Sequence, residues 1–335
     1  MTHEFKAIVS AYIKAKQQGI SCVLASVVAL EGSSYRRPGV RMLLQADGKR
    51  VGAVSGGCVE KEIEVQAQSV FKTGTAKVIT YDGRYRLGCE GILYVLIEPF
   101  YPTEAFLDAF ERVLNNRKEF IAKSYFEPTH GENSSFGTEI LLFNTAYSLA
   151  EKSLPLESSE YFEQNYPPCF QLVVIGGEHD AVNLCQYANL TGWEVTVVVD
   201  PREDKQLSDF PGATHYIAAD GAHLSLAVDQ NTAIVLMTHS YTKDLAYLLA
   251  LLETNPAYLG LLGPTKRRNN LLNDVLERVP DVNPSFLELI KGPAGLDIGS
   301  ETPQEICIAV MAEILSVIRN RDAQPLANKA GSIHV

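Results

Sequence analysis

An unbroken apolar strand signal, Gln171-Leu-Val-Val-Ile175, runs directly into Gly176-Gly177, and from there strand and helix signals alternate as far as Val279. No other feature narrows the fold as much. The run Glu194–Val199 is β-branched almost throughout, the composition of a parallel strand buried on both faces. Further strand signals lie at 214–218, 233–237 and 258–262, and helical spacing runs over 179–191, 244–253 and 265–279. Strands that alternate with helices imply an open parallel sheet with right-handed crossovers. The expected class is α/β, with a C-terminal Rossmann-like doubly wound parallel sheet and a smaller N-terminal α+β domain.

The first half has a different rhythm. Phe5, Ile8, Val9, Tyr12 and Ile13 fall at helical spacing and predict an opening helix. Strand signals follow at 21–30, 40–45 and 51–54, the last two flanking Asp47-Gly48, a dipeptide suited to a tight hairpin. A helix is expected over 59–71, strands over 77–81 and 92–98, a helix over 104–115, and strands over 120–126 and 138–143. Between Leu149 and Pro168 no period is sustained, and serine and proline accumulate. The expected organisation is an N-terminal domain over 1–148, a linker over 149–168, a Rossmann-like domain over 169–320 and a tail over 321–335.

A chain of 335 residues is long for one core and suits two domains. Its formal net charge of −11 excludes the broad basic surface that nucleic acid requires, though not one local pocket for an anion. The six cysteines, at 22, 58, 89, 169, 185 and 307, form no C-x-x-C pair, which fits a reducing compartment better than a disulfide framework or a zinc knuckle. Lysines interrupt the first apolar positions, so no signal peptide is expected, and the apolar stretch 22–30 is too short to span a bilayer. A cytoplasmic protein with no nucleic-acid and no membrane partner is the expectation.

The glycine turn carries a defect. A dinucleotide fingerprint would place glycines at 176 and 178 and a small residue at 181. Gly176 and Ala181 fit, but position 178 is Glu, and a carboxylate there crowds and repels a pyrophosphate. Asp200 closes the next strand where a ribose-binding acid belongs, so NAD(P) stays open as a doubtful ligand. Thr238-His239-Ser240 and Gly263-Pro264-Thr265-Lys266 follow later strands and offer an imidazole and a cation at a helix start. A capping histidine and an ordinary solvated helix face account for them as well.

Two N-terminal segments look unlike routine scaffold. Glu31-Gly-Ser-Ser-Tyr-Arg-Arg-Pro-Gly-Val-Arg41 combines hydroxyls at Ser33 and Ser34 with guanidinium groups at Arg36, Arg37 and Arg41, a composition suited to an anion. Ser55-Gly56-Gly57-Cys58-Val-Glu60 leaves a strand and opens a helix, so its amides make an anion-binding concavity and its sulfur meets the positive end of the helix dipole. Buried packing of a small thiol is the plainer alternative for Cys58, and more so for Cys89. The other four cysteines sit in apolar or linker contexts and are expected to be structural.

These motifs resemble the XdhC/CoxI family, accessory proteins of xanthine dehydrogenase and related molybdenum hydroxylases. The likeness runs through Gly32-Ser33-Ser34-x-Arg36-Arg37-Pro38-Gly39, Gly52-x-x-Ser55-Gly56-Gly57-Cys58-Val59-Glu60 and Gly88-Cys89-x-Gly91. It continues through His179-Asp180-Ala181, Asp200-Pro201-Arg202, Thr238-His239, Gly260-x-x-Gly263 and Gly295-Leu296-Asp297-Ile298-Gly299-x-x-Thr302-Pro303-x-Glu305-Ile306. Glu178 and Glu90 depart from the family's pattern.

The resemblance implies a non-catalytic chaperone that carries molybdenum cofactor (molybdopterin) as cargo and delivers it to a xanthine dehydrogenase-type apo-enzyme. A homodimer and a cysteine desulfurase partner are also implied. The expected cargo-binding residues are Ser33, Ser34, Arg36, Arg37, Arg41, Ser55, Gly56, Gly57, Cys58, Cys89, Gly176, Gly177, His179, Asp180, Asp200, His239 and Lys266, with Cys58 as the metal ligand; no catalytic residue is expected. Two other classes remain open at this point. One is a nicotinamide-dependent oxidoreductase using His239 as acid/base, the other a regulatory paralogue that binds no ligand.

Overall fold

The computed structural model describes residues 1–32, 37–55, 57–83, 91–150 and 161–329, and it divides into two compact units, Met1–Pro168 and Cys169–Val335.

The N-terminal unit runs α1 (Thr2–Gln17), β1 (Cys22–Glu31), β2 (Arg41–Gln45), β3 (Arg50–Gly52), α2 (Cys58–Thr73), β4 (Lys77–Asp82) and β5 (Ile92–Pro99). It continues through α3 (Glu104–Asn115), β6 (Phe120–Tyr125), β7 (Gly131–Glu132), β8 (Gly137–Leu142), β9 (Thr145–Ser148) and β10 (Tyr161–Tyr166). The strands form two antiparallel sheets, ordered β3-β2-β1-β5-β4-β7 and β10-β6-β8-β9. Alternation assigns the faces of the larger sheet. Val23, Ala25, Met42, Val95 and Ile97 pack with Val59, Ile63, Ala67 and Val70 of α2. Leu24 and Leu43, on the opposite face, join Phe5, Phe106, Phe110, Phe120 and Tyr166 from α1, α3 and the smaller sheet.

One expectation fails here. Residues 161–166, assigned to a linker, are β10, an edge strand paired with β6 from Tyr161–Tyr125 to Tyr166–Phe120. Its sequence, Tyr-Phe-Glu-Gln-Asn-Tyr, buries only Gln164 and Tyr166, so no run of apolar residues marks it as a strand.

The C-terminal unit runs β11 (Gln171–Ile175), α4 (His179–Leu190), β12 (Glu194–Val199), β13 (His215–Ala218), β14 (Thr232–Leu236), α5 (Tyr241–Ala250) and β15 (Tyr258–Leu261). After these come α6 (Thr265–Arg278), α7 (Pro284–Leu289), β16 (Ile290–Lys291) and α8 (Pro303–Arg319). The sheet is parallel throughout, ordered β13-β12-β11-β14-β15-β16. Counted from β11 this is the doubly wound order, with the reversal of direction between β11 and β14. Leu172, Val174, Val197 and Val235 pack towards α4 and α8, while Val173, Ile175, Ile234 and Leu236 pack towards α5 and α6.

Helix α8 begins at the Thr302-Pro303 pair, with Thr302 as its N-cap. Thr302 Oγ1 accepts from Glu305 N at 3.3 Å, and the Glu305 carboxylate accepts from Thr302 N at 3.0 Å, a reciprocal capping box with proline in the first turn. Thr302→Ala removes one half of that pair, and the expected cost is about 1 kcal/mol. Denaturant unfolding followed by Trp193, the chain's one tryptophan and part of this core, measures it. An unmoved midpoint contradicts the assignment.

Candidate functional site

In the N-terminal unit the strand β3 hands the chain to α2 through Ala53–Gly57. Glu60, on the first turn of α2, turns back and accepts from Val54 N at 3.2 Å and Ser55 N at 2.8 Å through the same oxygen. The carboxylate is buried and holds the loop against the helix that follows it. Gly57 is the N-cap with φ +30°, in the left-handed region where glycine is favoured, and the space a side chain would take is open. Cys58 opens the 16-residue helix and is exposed. A sulfur presented to solvent on the amides of a helix start is suited to meet a soft or electrophilic partner.

The expected residues around it divide. Arg37 is exposed and Ser55 half-buried. Ser33, Ser34, Arg36, Gly56 and Cys89 lie outside the described residues. Arg41 departs from its expected role, because it is buried and turned into the unit. Its guanidinium bonds Gln164 Oε1 and the Tyr166 hydroxyl, reaches Gly39 O at 3.2 Å, and lies over the rings of Phe5 and Tyr166 at 5.9 and 5.6 Å. Strand alternation accounts for this: Arg41 pairs with Ser26 on the face of β1 that meets the smaller sheet. Arg41 is a fastening between layers and not a hand for an anion.

The remaining described cysteines, 22, 169, 185 and 307, are buried, as expected of structural thiols. Burial pushes Cys22 up to about 11 and both Cys185 and Cys307 up to about 12, so these thiols stay neutral.

In the C-terminal unit the expected residues gather at the carboxyl ends of β11, β12 and β14, where an open α/β sheet binds its ligands. Gly176 is needed for close approach, since a side chain there would collide with the Met237 carbonyl of β14's extension. Asp180, on the first turn of α4, is buried and meets His239 Nε2 at 2.8 Å. His239 has φ +56°, a strained setting for an L-residue, and its imidazole is about half exposed (49%). The dyad therefore presents an oriented imidazole at the switch point. His179 beside it is exposed.

Asp200 is buried and already engaged. Arg202 grips it with Nε at 2.9 Å and a second guanidinium nitrogen at 2.5 Å, and Lys243 lies 3.4 Å away. The Arg202 hydrogen bonds, followed by the nearby Lys243 charge, hold its carboxyl well below the usual range. Lys243 also meets Glu203 at 2.7 Å. Glu203 in turn lies directly over Gly177, where a side chain would overlap its carboxylate. Glu203 and Lys243 were not anticipated from sequence. The Asp200-Pro201 turn was the available signal, since a chain turning there brings its next side chains back over the glycine turn.

At the start of α6, Arg267 bonds Asp244 at 2.6 Å and Arg268 bonds Ile290 O at 3.1 and 3.2 Å. Both guanidinium groups belong to the fold, and Lys266 beside them stands exposed. Two cavities lie elsewhere: one of about 200 Å³ beside Gly74, Glu98 and Phe136, the other of about 400 Å³ beside Asn255, Val279 and Phe286. Neither is lined by a residue of the two sites. Among the described residues no three His, Cys, Asp or Glu side chains converge as a metal site, and no helix is long and apolar enough to cross a membrane.

Comparison with known proteins follows both units. The signature described as "XdhC and CoxI family" matches residues 15–82, and that described as "XdhC Rossmann domain" matches residues 172–314. A protein of Bacillus subtilis (strain 168), named as a probable xanthine dehydrogenase subunit, is 31% identical over 315 residues, covering 88% of this chain and 92% of its own. The "Molybdenum cofactor insertion chaperone PaoD" of Escherichia coli (strain K12) is 24% identical over 324 residues, 95% of this chain and 90% of its own. A Bacillus halodurans crystal structure titled as a xanthine dehydrogenase superposes with TM-score 0.76 at 26% identity, over 96% of this chain and 99% of that one. With both signatures matched and both units accounted for, the chain belongs to the XdhC and CoxI family of xanthine dehydrogenase accessory proteins.

Proposed function

We propose that this protein binds molybdenum cofactor and hands it to a xanthine dehydrogenase-type apo-enzyme, as a carrier and not as a catalyst. The observation that carries the reading is the placement of Cys58: exposed, first in a long helix, behind a glycine cap whose preceding loop Glu60 holds through the Val54 and Ser55 amides. The cargo is an anionic pterin phosphate with a dithiolene-bound metal. It asks for one soft donor, amide donors and cations. Cys58 supplies the sulfur, Gly57 and the helix start supply amides, and Arg37 supplies an exposed guanidinium. Ser33, Ser34, Arg36, Ser55, Gly56 and Cys89 are proposed to complete the surround. The relative named as a molybdenum cofactor insertion chaperone supports the cargo, and the one named for xanthine dehydrogenase supports the client. Delivery as a homodimer, with a cysteine desulfurase acting on the cargo, belongs to the same proposal.

Expression in a host that makes the cofactor, followed by assay of the purified protein for molybdenum and pterin, tests it. Wild type is expected to copurify with both, and Cys58→Ala to retain less than about a tenth of the load, as loss of a metal–sulfur contact implies. Full loading of the variant removes Cys58 from the site. Absence of pterin from wild type removes the carrier function.

A further inference from the structure

We infer that the Rossmann unit is closed to dinucleotides by a carboxylate of its own, and that Glu203 is the residue that decides this. The inference goes beyond the carrier function and does not depend on it. In a doubly wound sheet the pyrophosphate rests on the glycine turn after the first strand, and an acid at the end of the second strand takes the ribose hydroxyls. Both places are filled from within this chain. Over Gly177 lies the Glu203 carboxylate, so close that no Cβ fits between them. A phosphate oxygen occupying that volume has to displace it.

Displacement is opposed by what holds Glu203. Lys243, on the first turn of α5, bonds it at 2.7 Å and also sits 3.4 Å from Asp200. The ribose acid is consumed as well. Asp200 Oδ1 accepts from Arg202 N at 3.0 Å and Arg202 Nε at 2.9 Å, while Oδ2 accepts from the same guanidinium at 2.5 Å. Glu178 sets a further carboxylate at the N-cap of α4, where the fingerprint has its second glycine. A pyrophosphate placed here meets the Glu203 carboxylate at contact range, with the exposed Glu178 carboxylate at the same helix start. Opposition of like charges at that distance weakens binding on the order of a thousandfold.

The two carboxylates do not contribute alike. Glu178 is exposed and free to swing into solvent, so its repulsion is screened. Glu203 is pinned over the turn by Lys243, and its obstruction is steric as well as electrostatic. This is why the specificity is assigned to Glu203 first. The Lys243 ammonium, once released from Glu203, is placed to serve as the missing phosphate cation.

Titration of the full-length protein with NADH, NADPH and ADP-ribose, followed by calorimetry and nucleotide fluorescence, tests the inference. Wild type is expected to show no saturation up to about 1 mM ligand. Glu203→Ala is expected to gain measurable binding, and Glu178→Gly with Glu203→Ala to bind at least about a hundredfold more tightly than wild type. Glu203→Gln, which keeps the volume and the bond to Lys243 while removing the charge, covers the case in which the alanine variants misfold. It is expected to gain less than Glu203→Ala, because the steric part persists. Micromolar saturable binding by wild type overturns the inference. So does a folded Glu178→Gly, Glu203→Ala protein that remains as blind to the three ligands as wild type.

Discussion

Replacing Arg41 by alanine is expected to destabilise the N-terminal unit by about 4 kcal/mol at neutral pH, the scale seen when one member of a buried charged network is deleted. Arg41 is 5% exposed and lies on β2, opposite Ser26 of β1, while Glu98 lies on β5, opposite Leu24 of the same strand. Residues two apart on a strand share a face, so cation and carboxylate flank β1 on the face that meets the smaller sheet. Between them runs a chain of hydroxyls. Glu98 accepts from Thr138 N at 2.7 Å and Thr138 Oγ1 at 2.6 Å, Thr138 meets Ser124 at 2.9 Å, and the Arg41 guanidinium reaches Ser124 at 3.4 Å.

Loss of Arg41 leaves a cavity beside Phe5 and Tyr166, frees Gln164 from its charged partner, and removes the positive charge that favours ionised Glu98. Arg41→Met fills much of the volume and is expected to recover part of the loss. The companion variant Arg41→Met with Glu98→Gln, which removes both charges together, is expected to approach wild type. Hydrogen exchange of β2, β6 and β10 reports on this unit separately from the other, which matters because two units need not unfold as one. Unchanged protection in Arg41→Ala shows that the buried network carries no stability.

How far the fold was legible follows from how strongly each element is patterned. The parallel sheet was readable because β11, β12 and β14 are buried on both faces, which leaves long apolar runs. The hairpin at Asp47-Gly48 was readable from one dipeptide, confirmed by pairing of Leu44 with Arg50 and by φ +88° at Gly48. The edge strand β10 was not, because the two residues it buries fully are a glutamine and a tyrosine that meet Arg41, with Phe162 only partly buried beside them. Arg41 itself was misread for the same reason. A guanidinium near serines and glycines suggests an anion site, and only strand parity tells that this one points inward. The position of Cys58 at a helix start was legible from the serine and glycines that precede it. The obstruction by Glu203 was not, since it rests on a chain reversal after Asp200 that brings together residues far apart in the sequence.

Glu98 gives the N-terminal unit a pH dependence opposite to that of ordinary salt-bridged carboxylates. Burial pushes its carboxyl up to about 7, against the downward pull of the two Thr138 hydrogen bonds and the Arg41 charge. Below the ordinary carboxylate range both folded and unfolded chains hold the proton, and stability is at its fullest. Between pH 4.5 and about 7 the unfolded chain has released the proton while the folded one retains it, so stability falls as pH rises. The total is about 3 kcal/mol, from about 1.4 kcal/mol for each tenfold change in proton affinity. With the carboxyl protonated, the short bond to Thr138 Oγ1 can reverse, Glu98 donating to Thr138 and Thr138 to Ser124. Glu98→Gln keeps a donor and an acceptor at that place without a titrating group. It is expected to match wild type near pH 5, to exceed it by about 3 kcal/mol at pH 8, and to lose the slope between them. Asp200 supplies an internal contrast. Its carboxyl is held low by Arg202 and Lys243, so its contribution to the C-terminal unit is present above the usual carboxylate range and fades only as pH falls below it. Exchange protection of β5 and β8 should therefore weaken from pH 5 to 8, after correction for the intrinsic rate, while that of β11 and β12 holds. Parallel behaviour of the N- and C-terminal strands, or a slope that survives in Glu98→Gln, places the titrating group elsewhere.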